Sequence, residues 1–587
     1  MTVPEILEQI GEAVEMSDGT ILRADVYRPD DTGSYPVLML RTPYGRRDDF
    51  YVGSARRLAE HGYVVVTQDI RGRFDSDGEF FWQFGPEAWT SDAQDGYDTV
   101  EWCARLPLTT GQVGTYGHSY DSWVQWELAR LQPPSLTAMF AGGMTARATE
   151  FTQGILETGR RMHWVYMLGA SDRYRNEDVS VTDARAEAER IWEQVEGSKW
   201  VWRLPLSSIP DHVFGSLTEQ FQRYLAKQHN EEDGEQWNFY PTHPLINVPV
   251  CLITGWWDRV VRTTRHYPSL LENGNDDVDP RKHRLVVGPW SHSPRNFCSG
   301  SELGDLSFGP QAGRAWEDMI VDWFDFTIKG ISNHFGEGPV QVFLVGSNHW
   351  ISLDTWPPAD SAPLVLYLHS TGSANEPGSP GTLGAEPPGD EPPDCYVYDP
   401  ADPVMSIITE DAQVAPLDQS PLRSRWDIAR YETPTFDETT YLVGDVELML
   451  WVGTDAPDTD FIAKIVLVQK DGLSVNLSFG AVRTGLEEPA EVSDSAEGSS
   501  ERTPRLYRID LRSLALRVDP GQRLCLIVTS SDFPNLDRNH NTGAPYWSDP
   551  ELRVANQAIY HDAAHRSVLR LPLMNHPPEG LDVGILS

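Results

Sequence analysis

The sequence predicts an α/β domain that is interrupted by a helical insertion and followed by an all-β domain. Short, nearly continuous apolar runs alternate with helical stretches over residues 20–120 and resume near residue 248. This alternation is typical of a mostly parallel sheet. Strand patterns are missing between about residues 145 and 240, where helical patterns take their place. Beyond about residue 340, many short strand patterns separated by turn signals indicate a β-sandwich or a jelly roll.

The first part of the chain carries the patterns of the parallel sheet in sequence order. An edge strand is predicted at residues 21–27 and a connecting helix at residues 55–61. Strands that are covered on both faces have apolar sequences with little alternation. The runs of this kind are Pro36–Leu40, Tyr63–Thr67, Val113–Tyr116, Val248–Thr254 and Arg284–Gly288.

The helical insertion divides the α/β domain in the sequence. Residues 183–192 have helical spacing, and buried strands flank the insertion on both sides. We therefore predict an α/β domain formed by residues 1–144 and 241–345, a helical cap at 145–240 and a jelly-roll domain at 346–587. Because ligands of open α/β sheets bind at the carboxyl ends of the strands, a cap over that edge is expected to determine specificity.

The composition excludes several classes of partner. The formal net charge of −40 argues against nucleic acids and anionic membranes, because their phosphates would be repelled. The five cysteines are scattered and form no C-x-x-C motif, which fits neither a disulfide framework nor a zinc site. The sequence shows no signal peptide pattern and no apolar run long enough to span a membrane. We expect a soluble, cytoplasmic monomer or homodimer that needs no metal and no other cofactor.

A serine between a predicted strand and a predicted helix is the first candidate for chemistry. Ser119 follows the strand pattern at 113–116, and apolar residues at helical spacing come after it. A serine on such a sharp turn exposes its hydroxyl, and the first amides of the helix can stabilise an oxyanion. The alternative is that Ser119 only caps the helix, because serine is a common N-cap residue.

Asp258 and His292 are the candidate partners of Ser119. A serine becomes nucleophilic when a histidine accepts its proton and a carboxylate orients that histidine. Asp258 follows the strand that ends at Thr254, and His292 follows the strand that ends at Gly288. The order serine, aspartate, histidine is that of the α/β-hydrolases. The alternatives are a helix N-cap for Asp258 and a structural role for His292.

Tyr44 is the candidate side chain that stabilises the oxyanion. It lies directly after the predicted strand that ends at Leu40, in a loop that often supplies an oxyanion donor in α/β-hydrolases. Its hydroxyl would act beside the backbone N–H of Tyr120. The alternative is an ordinary tyrosine of a surface turn.

Short motifs distributed over nearly the whole chain point to one family. They are RTPY at 41–44, QDIRG at 68–72, SDGEF at 76–80, GHSY at 117–120, GWWD at 255–258, GPWSHS at 288–293, YDPADPV at 398–404, DTDF at 458–461 and SDFPNLDRNHNTG at 531–543. Together they resemble the cocaine esterase family of serine hydrolases, which is related to the X-Pro dipeptidyl peptidases and the α-amino acid ester hydrolases. The resemblance implies an α/β-hydrolase domain, a helical cap and a jelly-roll domain.

The same resemblance implies roles for individual residues. Ser119 would be the nucleophile, His292 the base and Asp258 the carboxylate that orients the base. The hydroxyl of Tyr44 and the backbone N–H of Tyr120 would form the oxyanion hole.

Two features depart from the pattern of the family. Ser122 stands where the family usually has a glycine three residues after the nucleophile, and segment 145–240 contains no matching motif. The substrate therefore does not follow from the resemblance. Trp164, Phe151 and Trp290 are candidate walls of an acyl pocket, although core packing explains aromatic residues of a cap at least as often.

The predicted activity is hydrolysis of a small-molecule carboxylic ester through an acyl-serine intermediate. Amidase or X-Pro-type peptidase activity and acyl transfer are alternatives, because they use the same intermediate and differ in leaving group and acceptor. A catalytically silent ligand-binding protein is the alternative outside the enzymes.

Overall fold

The computed structural model describes residues 5–82, 86–150, 154–173, 179–227, 238–297, 300–409, 413–493 and 502–578. Its N-terminal strands are β1 Ile6–Glu15, β2 Ile21–Pro29, β3 Tyr35–Thr42, β4 Val64–Asp69, β5 Thr109–His118, β6 Leu136–Gly142, β7 Val250–Gly255, β8 Arg284–Gly288, β9 Glu302–Leu303, β10 Leu306–Ser307, β11 Val340–Leu344 and β12 His349–Leu353.

These strands form one 10-stranded sheet in the order β1-β2-β4-β3-β5-β6-β7-β8-β11-β12, while β9 and β10 pair separately. Neighbouring strands from β4 to β11 are parallel. Every residue of β4, β7 and β8 is buried, as expected for strands that are covered on both faces. Because the strands are parallel, the loops that follow β3, β5, β7 and β8 emerge at the same edge of the sheet.

The strand Ile21–Pro29 is not an edge strand, in contrast to the prediction from the sequence. It pairs with β1 on one side and with β4 on the other. The pairing of β1 shifts between Gln9 and Glu12, beside Gly11, whose φ is 78°. Such a bulge breaks the two-residue alternation from which strands are predicted, so the sequence of β1 shows no regular pattern.

Helices flank the sheet and fill the segment between β6 and β7. They are α1 Asp49–Glu60, α2 Pro86–Ala104, α3 Tyr120–Ala129, α4 Thr158–Arg173, α5 Val181–Ile191, α6 Gly197–Trp200, α7 Asp211–Phe214, α8 Thr218–Lys227, α9 His266–Asn273 and α10 Trp316–Thr327. The described part of 145–240 contains α4 to α8 and no strand, only one isolated bridge between Arg147 and Asn238. Among the described residues, no helix has both the length and the apolar character needed to cross a membrane.

The helical segment shares a core with the loop after β4. The ring centroid of Trp82 lies 5.3 Å from that of Trp164 in α4 and 5.0 Å from that of Tyr224 in α8. These contacts place α4 next to the edge at which β3, β5, β7 and β8 end.

The C-terminal domain is all-β. Its strands are β13 Ser361–His369, β14 Gly381–Gly384, β15 Asp394–Tyr398, β16 Ile428–Glu432, β17 Thr440–Thr454, β18 Asp460–Val468, β19 Ser474–Arg483, β20 Glu491–Val492, β21 Arg505–Val518, β22 Arg523–Thr529, β23 Ala555–Tyr560 and β24 Val568–Met574. They belong to one hydrogen-bonded sheet. The first sheet extends to Leu353, beyond residue 345, because β12 pairs antiparallel with β11.

Candidate active site

Ser119 lies on a strained turn between β5 and α3. Its backbone has a φ of 61° and a ψ of −120°, a combination that residues other than glycine rarely adopt. A Cβ atom at Gly117 would lie 2.5 Å from Cβ of Asp121, so the turn needs a glycine there. The Ser119 side chain makes no capping hydrogen bond to α3. Its hydroxyl is therefore not used to cap the helix.

His292 connects Ser119 with Asp258. Its Nε2 lies 2.9 Å from Oγ of Ser119, and its Nδ1 lies 2.8 Å from Oδ1 of Asp258. Burial alone would raise the pKa of Asp258, but the charge of His292 and its hydrogen bond outweigh burial, and the pKa lies below its usual value. The buried carboxylate stays ionised, and its hydrogen bond fixes the orientation of the imidazole ring.

The two candidate oxyanion donors lie at the same edge of the sheet. The hydroxyl of Tyr44, just after β3, accepts a hydrogen bond from Nε1 of Trp164 at 3.0 Å. Burial, and after it the charge of Asp121, raise the pKa of Tyr44 to about 12, so the phenol keeps its proton at neutral pH. Tyr120 is the first residue of α3, and its N–H has no carbonyl partner one turn earlier in the helix.

The loop that carries Asp258 is bound to the C-terminal domain. Nη1 of Arg259 donates to Oδ1 of Asn535 at 2.8 Å. Nε of Arg262 donates to Oδ2 of Asp510 at 2.8 Å. The position of the Asp258 loop therefore depends on residues of both domains.

Cavities adjoin these side chains. One cavity of about 400 Å³ is lined by Ser119, His292 and Tyr44. An adjoining cavity of about 470 Å³ is lined by Tyr44 and Trp164. A third cavity, here called the arginine cavity, has a volume of about 30 Å³ and is lined by Ser119, Met144, Glu157, Arg160, Arg161, Trp164, Arg259 and His292.

The three predicted pocket residues lie in different places. Trp164 lines the arginine cavity and the cavity beside Tyr44. Trp290 is 2% exposed, stacks on Phe297 with ring centroids 4.4 Å apart and lines none of these three cavities. This placement differs from the prediction, because the ring of Trp290 belongs to the core. Phe151 lies outside the described residues.

His118, whose sequence position carries no signal of function, packs against the candidate base. Its ring centroid lies 4.8 Å from that of His292, and its Nε2 lies 3.8 Å from Oδ2 of Asp258. Burial, and after it the charge of His292, lower the pKa of His118 to about 3. The ring is therefore neutral at pH 7 and adds no charge beside the base.

Sequence reasoning also missed the arginines next to Ser119. Arg161 and Glu157 stand four residues apart at the start of α4 and form an ion pair of 3.4 Å. This ion pair could have been predicted from the sequence, because residues four positions apart lie side by side on a helix and opposite charges there attract. Nothing in the sequence places Arg259, from the loop after β7, beside the same glutamate at 3.0 Å.

The described part of the chain contains one group of side chains whose spacing would suit a metal ion. It consists of His118, Asp258 and His292, whose ligand atoms all lie within 4.8 Å of one another. His292 is already hydrogen-bonded to Asp258 and to Ser119. A metal bound to His292 would remove one of these two hydrogen bonds. The group can hold a metal or act as a triad with Ser119, but it cannot do both.

Two family models match consecutive parts of the chain. The model of the X-Pro dipeptidyl-peptidase (S15 family) matches residues 18–294, and the model of the X-Pro dipeptidyl-peptidase C-terminal non-catalytic domain matches residues 333–570. The cocaine esterase of Rhodococcus sp. (strain MB1 Bresler) is 30% identical over 585 residues, which cover 96% of this chain and 97% of that protein.

Solved structures share the complete architecture. An α-amino acid ester hydrolase matches with a TM-score of 0.79 and 21% identity, covering 97% of each chain. An aminopeptidase from the marine sediment archaeon Thaumarchaeota archaeon matches with a TM-score of 0.76 and 21% identity, covering 98% of this chain and 97% of that one. At this identity the likeness shows the fold, an α/β-hydrolase-type domain followed by an all-β domain.

Proposed function

The chain belongs to the cocaine esterase family of serine hydrolases, and on that premise we propose that it hydrolyses small-molecule carboxylic esters through an acyl-serine intermediate. The observation that carries the proposal is the pair of hydrogen bonds made by His292, of 2.9 Å to Ser119 and 2.8 Å to Asp258. Ester hydrolysis is also what the name of the Rhodococcus relative describes, at 30% identity.

The acylation half-reaction uses the three side chains together. Oγ of Ser119 attacks the carbonyl carbon of the ester while Nε2 of His292 accepts the hydroxyl proton. The bond between the carbonyl carbon and the alcohol oxygen then breaks, and His292 gives its proton to the departing alkoxide. Asp258 remains ionised and stabilises the imidazolium that exists between the two proton transfers.

Deacylation repeats these steps with water in place of the serine. His292 accepts a proton from water, whose oxygen attacks the acyl carbon, and Ser119 recovers its proton as the carboxylic acid leaves. In both half-reactions the hydroxyl of Tyr44 and the N–H of Tyr120 donate to the carbonyl oxygen as it becomes negative. The raised pKa of Tyr44 supports this role, because a neutral phenol is a donor.

Cleavage of an amide bond is the second candidate function. The peptidase family model that matches residues 18–294 supports the same acyl-serine chemistry on peptides. The name of the Rhodococcus relative describes an esterase, which favours an ester as the substrate over an amide.

Several finer features are part of the same proposal. The strand content of residues 361–574 supports a jelly roll, and the absence of strands from the described part of 145–240 supports a cap inserted between the two parts of the α/β domain. We infer a cytoplasmic enzyme that acts as a monomer or a homodimer. Acyl transfer to an acceptor other than water would use the same residues.

The experiment that tests the function is covalent labelling with a fluorophosphonate, followed by mass spectrometry of the peptide that contains residue 119. We expect the label on Ser119. The rate of ester hydrolysis should fall in proportion to the fraction of the protein that carries the label. Ser122→Ala is the matched control, because Ser122 is buried three residues further along α3 and its loss should leave the labelling intact. Folded protein that hydrolyses no ester and takes up no label overturns the proposal.

A further inference from the structure

The cavity of about 470 Å³ beside Tyr44 has no part in the proposed mechanism. We call it the distal cavity, because neither Ser119 nor His292 is among the described residues that line it. We call the cavity of about 400 Å³, which Ser119 and His292 do line, the serine cavity. Pockets that bind small molecules have volumes of roughly 300–1,000 Å³. The distal cavity is therefore large enough to hold a substantial part of a ligand.

The two cavities adjoin each other. They share lining residues from the loop after β3, from α4 and from α5, namely Tyr44, Arg160, His163, Arg185 and Glu189. His163 of α4 and Glu189 of α5 form an ion pair of 2.8 Å at this boundary. Tyr44 is also the proposed oxyanion donor. The distal cavity therefore begins next to the place where the carbonyl group of an ester would bind.

Charged side chains in the wall of the distal cavity are paired within the protein. Arg46 pairs with Asp75 at 2.9 Å and also with Asp69, and Glu189 pairs with His163. Charges that are paired and hydrogen-bonded tolerate an apolar environment far better than isolated charges do. These pairs can therefore persist when an apolar group occupies the cavity.

Much of the wall of the distal cavity is apolar. Its apolar and aromatic side chains come from the loop after β4, from α4 and from α5, and they include Phe74, Trp164, Met167, Ala170, Val181 and Ala184. Two of them are alanines, whose small side chains leave space between α4 and α5. Each methylene group that is buried in such a site improves binding by roughly a factor of three to four. The distal cavity is thus suited to an apolar chain.

The proposed mechanism relates the distal cavity to one half of the ester. His292 gives its proton to the departing alkoxide, so the alcohol half must lie beside His292. Tyr44 donates to the carbonyl oxygen, which remains with the acid half. The distal cavity is lined by Tyr44, and His292 is not part of its described wall. The acid half is therefore the half that lies next to the distal cavity.

We propose that the distal cavity binds the apolar end of the acyl group, so that the enzyme prefers esters of medium-chain aliphatic acids to esters of short-chain acids. The scissile carbonyl group lies in the serine cavity, and the acyl chain passes Tyr44 into the distal cavity. This inference rests on the proposed function, because it names the substrate class of the same Ser119 site.

The experiment compares kcat/KM of the full-length enzyme for two pairs of esters, and the members of each pair differ by four methylene groups. Methyl butanoate and methyl octanoate differ on the acid side, whereas butyl acetate and octyl acetate differ on the alcohol side. We expect methyl octanoate to be favoured over methyl butanoate roughly 10- to 100-fold, and the ratio for the two acetates to be smaller. A ratio of one or less in the acid pair, or a larger ratio in the alcohol pair, overturns the proposal.

Two variants fill the distal cavity. Ala184 in α5 is 7% exposed and lines the cavity. In Ala184→Phe the ring takes the space of the acyl chain, so we expect the ratio of methyl octanoate to methyl butanoate to fall roughly tenfold. Val181 also lines the cavity and is only half-buried, so Val181→Phe keeps the proposal falsifiable if Ala184→Phe does not fold.

The matched control is Ala186→Phe. Ala186 lies on the same helix as Ala184, but it is exposed and does not line the distal cavity. We expect this variant to keep the wild-type ratio. A ratio that is the same in the wild type and in both cavity variants contradicts the proposal.

Binding to the Ser119→Ala variant separates a failure of this inference from a failure of the proposed function. Calorimetric titration with methyl octanoate and with methyl butanoate requires no turnover, and we expect methyl octanoate to bind at least roughly tenfold more tightly. The preference should disappear when Ala184→Phe is added. If this preference is found but the wild type hydrolyses no ester, the proposed function fails and the acyl site stands. If the wild type hydrolyses both methyl esters at Ser119 without a preference, the function stands and this inference fails.

Discussion

Nε1 of Trp164 donates a hydrogen bond of 3.0 Å to the hydroxyl oxygen of Tyr44. An indole N–H is only a donor, so the Tyr44 oxygen is the acceptor and its own proton is available to another partner. Helix α4 thereby orients a hydroxyl that comes from the loop after β3. The orientation of one proposed oxyanion donor consequently depends on a residue that lies 120 positions away in the sequence.

Replacing Tyr44 should lower kcat more than replacing Trp164. Tyr44→Phe removes the proposed oxyanion donor, and we expect kcat to fall roughly 10²- to 10³-fold. Trp164→Phe removes only the group that orients the donor, so we expect a loss of roughly threefold to tenfold. Both values are measured with one neutral ester at saturating concentration. A Tyr44→Phe variant with wild-type kcat on several esters would show that Tyr44 does not stabilise the oxyanion.

His118→Leu should make the stability of the protein less sensitive to acid. The pKa of His118 is lowered to about 3 in the folded protein by burial and by the charge of His292, whereas unfolding returns it to about 6.5. Below about pH 6.5 the unfolded chain therefore binds a proton that the folded chain does not bind, and the free energy of unfolding falls as the pH falls.

The size of this effect follows from the same pKa difference. Between about pH 7.5 and pH 5 the wild type should lose about 2 kcal/mol that the variant retains. Urea unfolding of both proteins at both pH values measures the difference. Buried carboxyls such as Asp121, whose pKa burial raises to about 7, are present in both proteins and cancel. Equal pH dependence of the two proteins would mean that His118 is not held neutral by its surroundings.

Gly143→Ala should disturb the ring of His118. Gly143 has a φ of 57°, and a Cβ atom there would lie 2.3 Å from Cε1 of His118. We expect a loss of about 2–4 kcal/mol from backbone strain and overpacking together, and a lower kcat because His118 contacts His292. Adding His118→Ala should restore part of the stability, which thermal unfolding measures.

Gly111→Ala is the matched control for this substitution. Gly111 has a φ of 81° but nothing within 4 Å of an added Cβ atom, so it reports the backbone strain alone, about 1–2 kcal/mol. If the two alanine variants lose the same stability, the contact with His118 has no effect.

Asp510→Asn should weaken the attachment of the loop that carries Asp258. Asp510 pairs with Arg262 and Arg265 of that loop. Loss of its charge should lower the free energy of unfolding by about 2–3 kcal/mol and also lower kcat. Asp519→Asn is the control, because Asp519 and Arg517 form a pair that is 32% and 33% exposed, and such a pair contributes at most about 1 kcal/mol. An Asp510→Asn variant with reduced Tm and unchanged kcat would show that the loop keeps its position without this link.

The residues proposed to act on the substrate could be predicted because each follows a buried strand. Ser119, Asp258 and His292 come directly after β5, β7 and β8, and parallel strands bring such positions to one edge of a sheet. Tyr44 follows β3 in the same way. For these residues the sequence pattern predicts that they lie close together at one edge of the sheet. Their chemical roles are tested by experiment.

Contacts that residues in and next to α4 make with the loops of the sheet could not be predicted. The hydrogen bond between Trp164 and Tyr44 and the ion pair between Arg259 and Glu157 join residues 120 and 102 positions apart. They depend on how α4 packs against the sheet edge, and no periodicity encodes that packing. Trp290 could not be placed from the sequence for a similar reason. It lies two residues before His292, but this position does not determine the direction in which its side chain points.

The attachment of Arg259 and Arg262 to Asn535 and Asp510 also has a consequence for the order of biosynthesis. The ribosome delivers the N-terminal part of a chain first, and domains fold as they emerge. A nascent chain therefore contains Ser119, Asp258 and His292 long before it contains the residues that hold the loop of Asp258 in place. Esterase activity should begin only when translation is nearly complete, so the growing chain stays inactive while it is still bound to the ribosome.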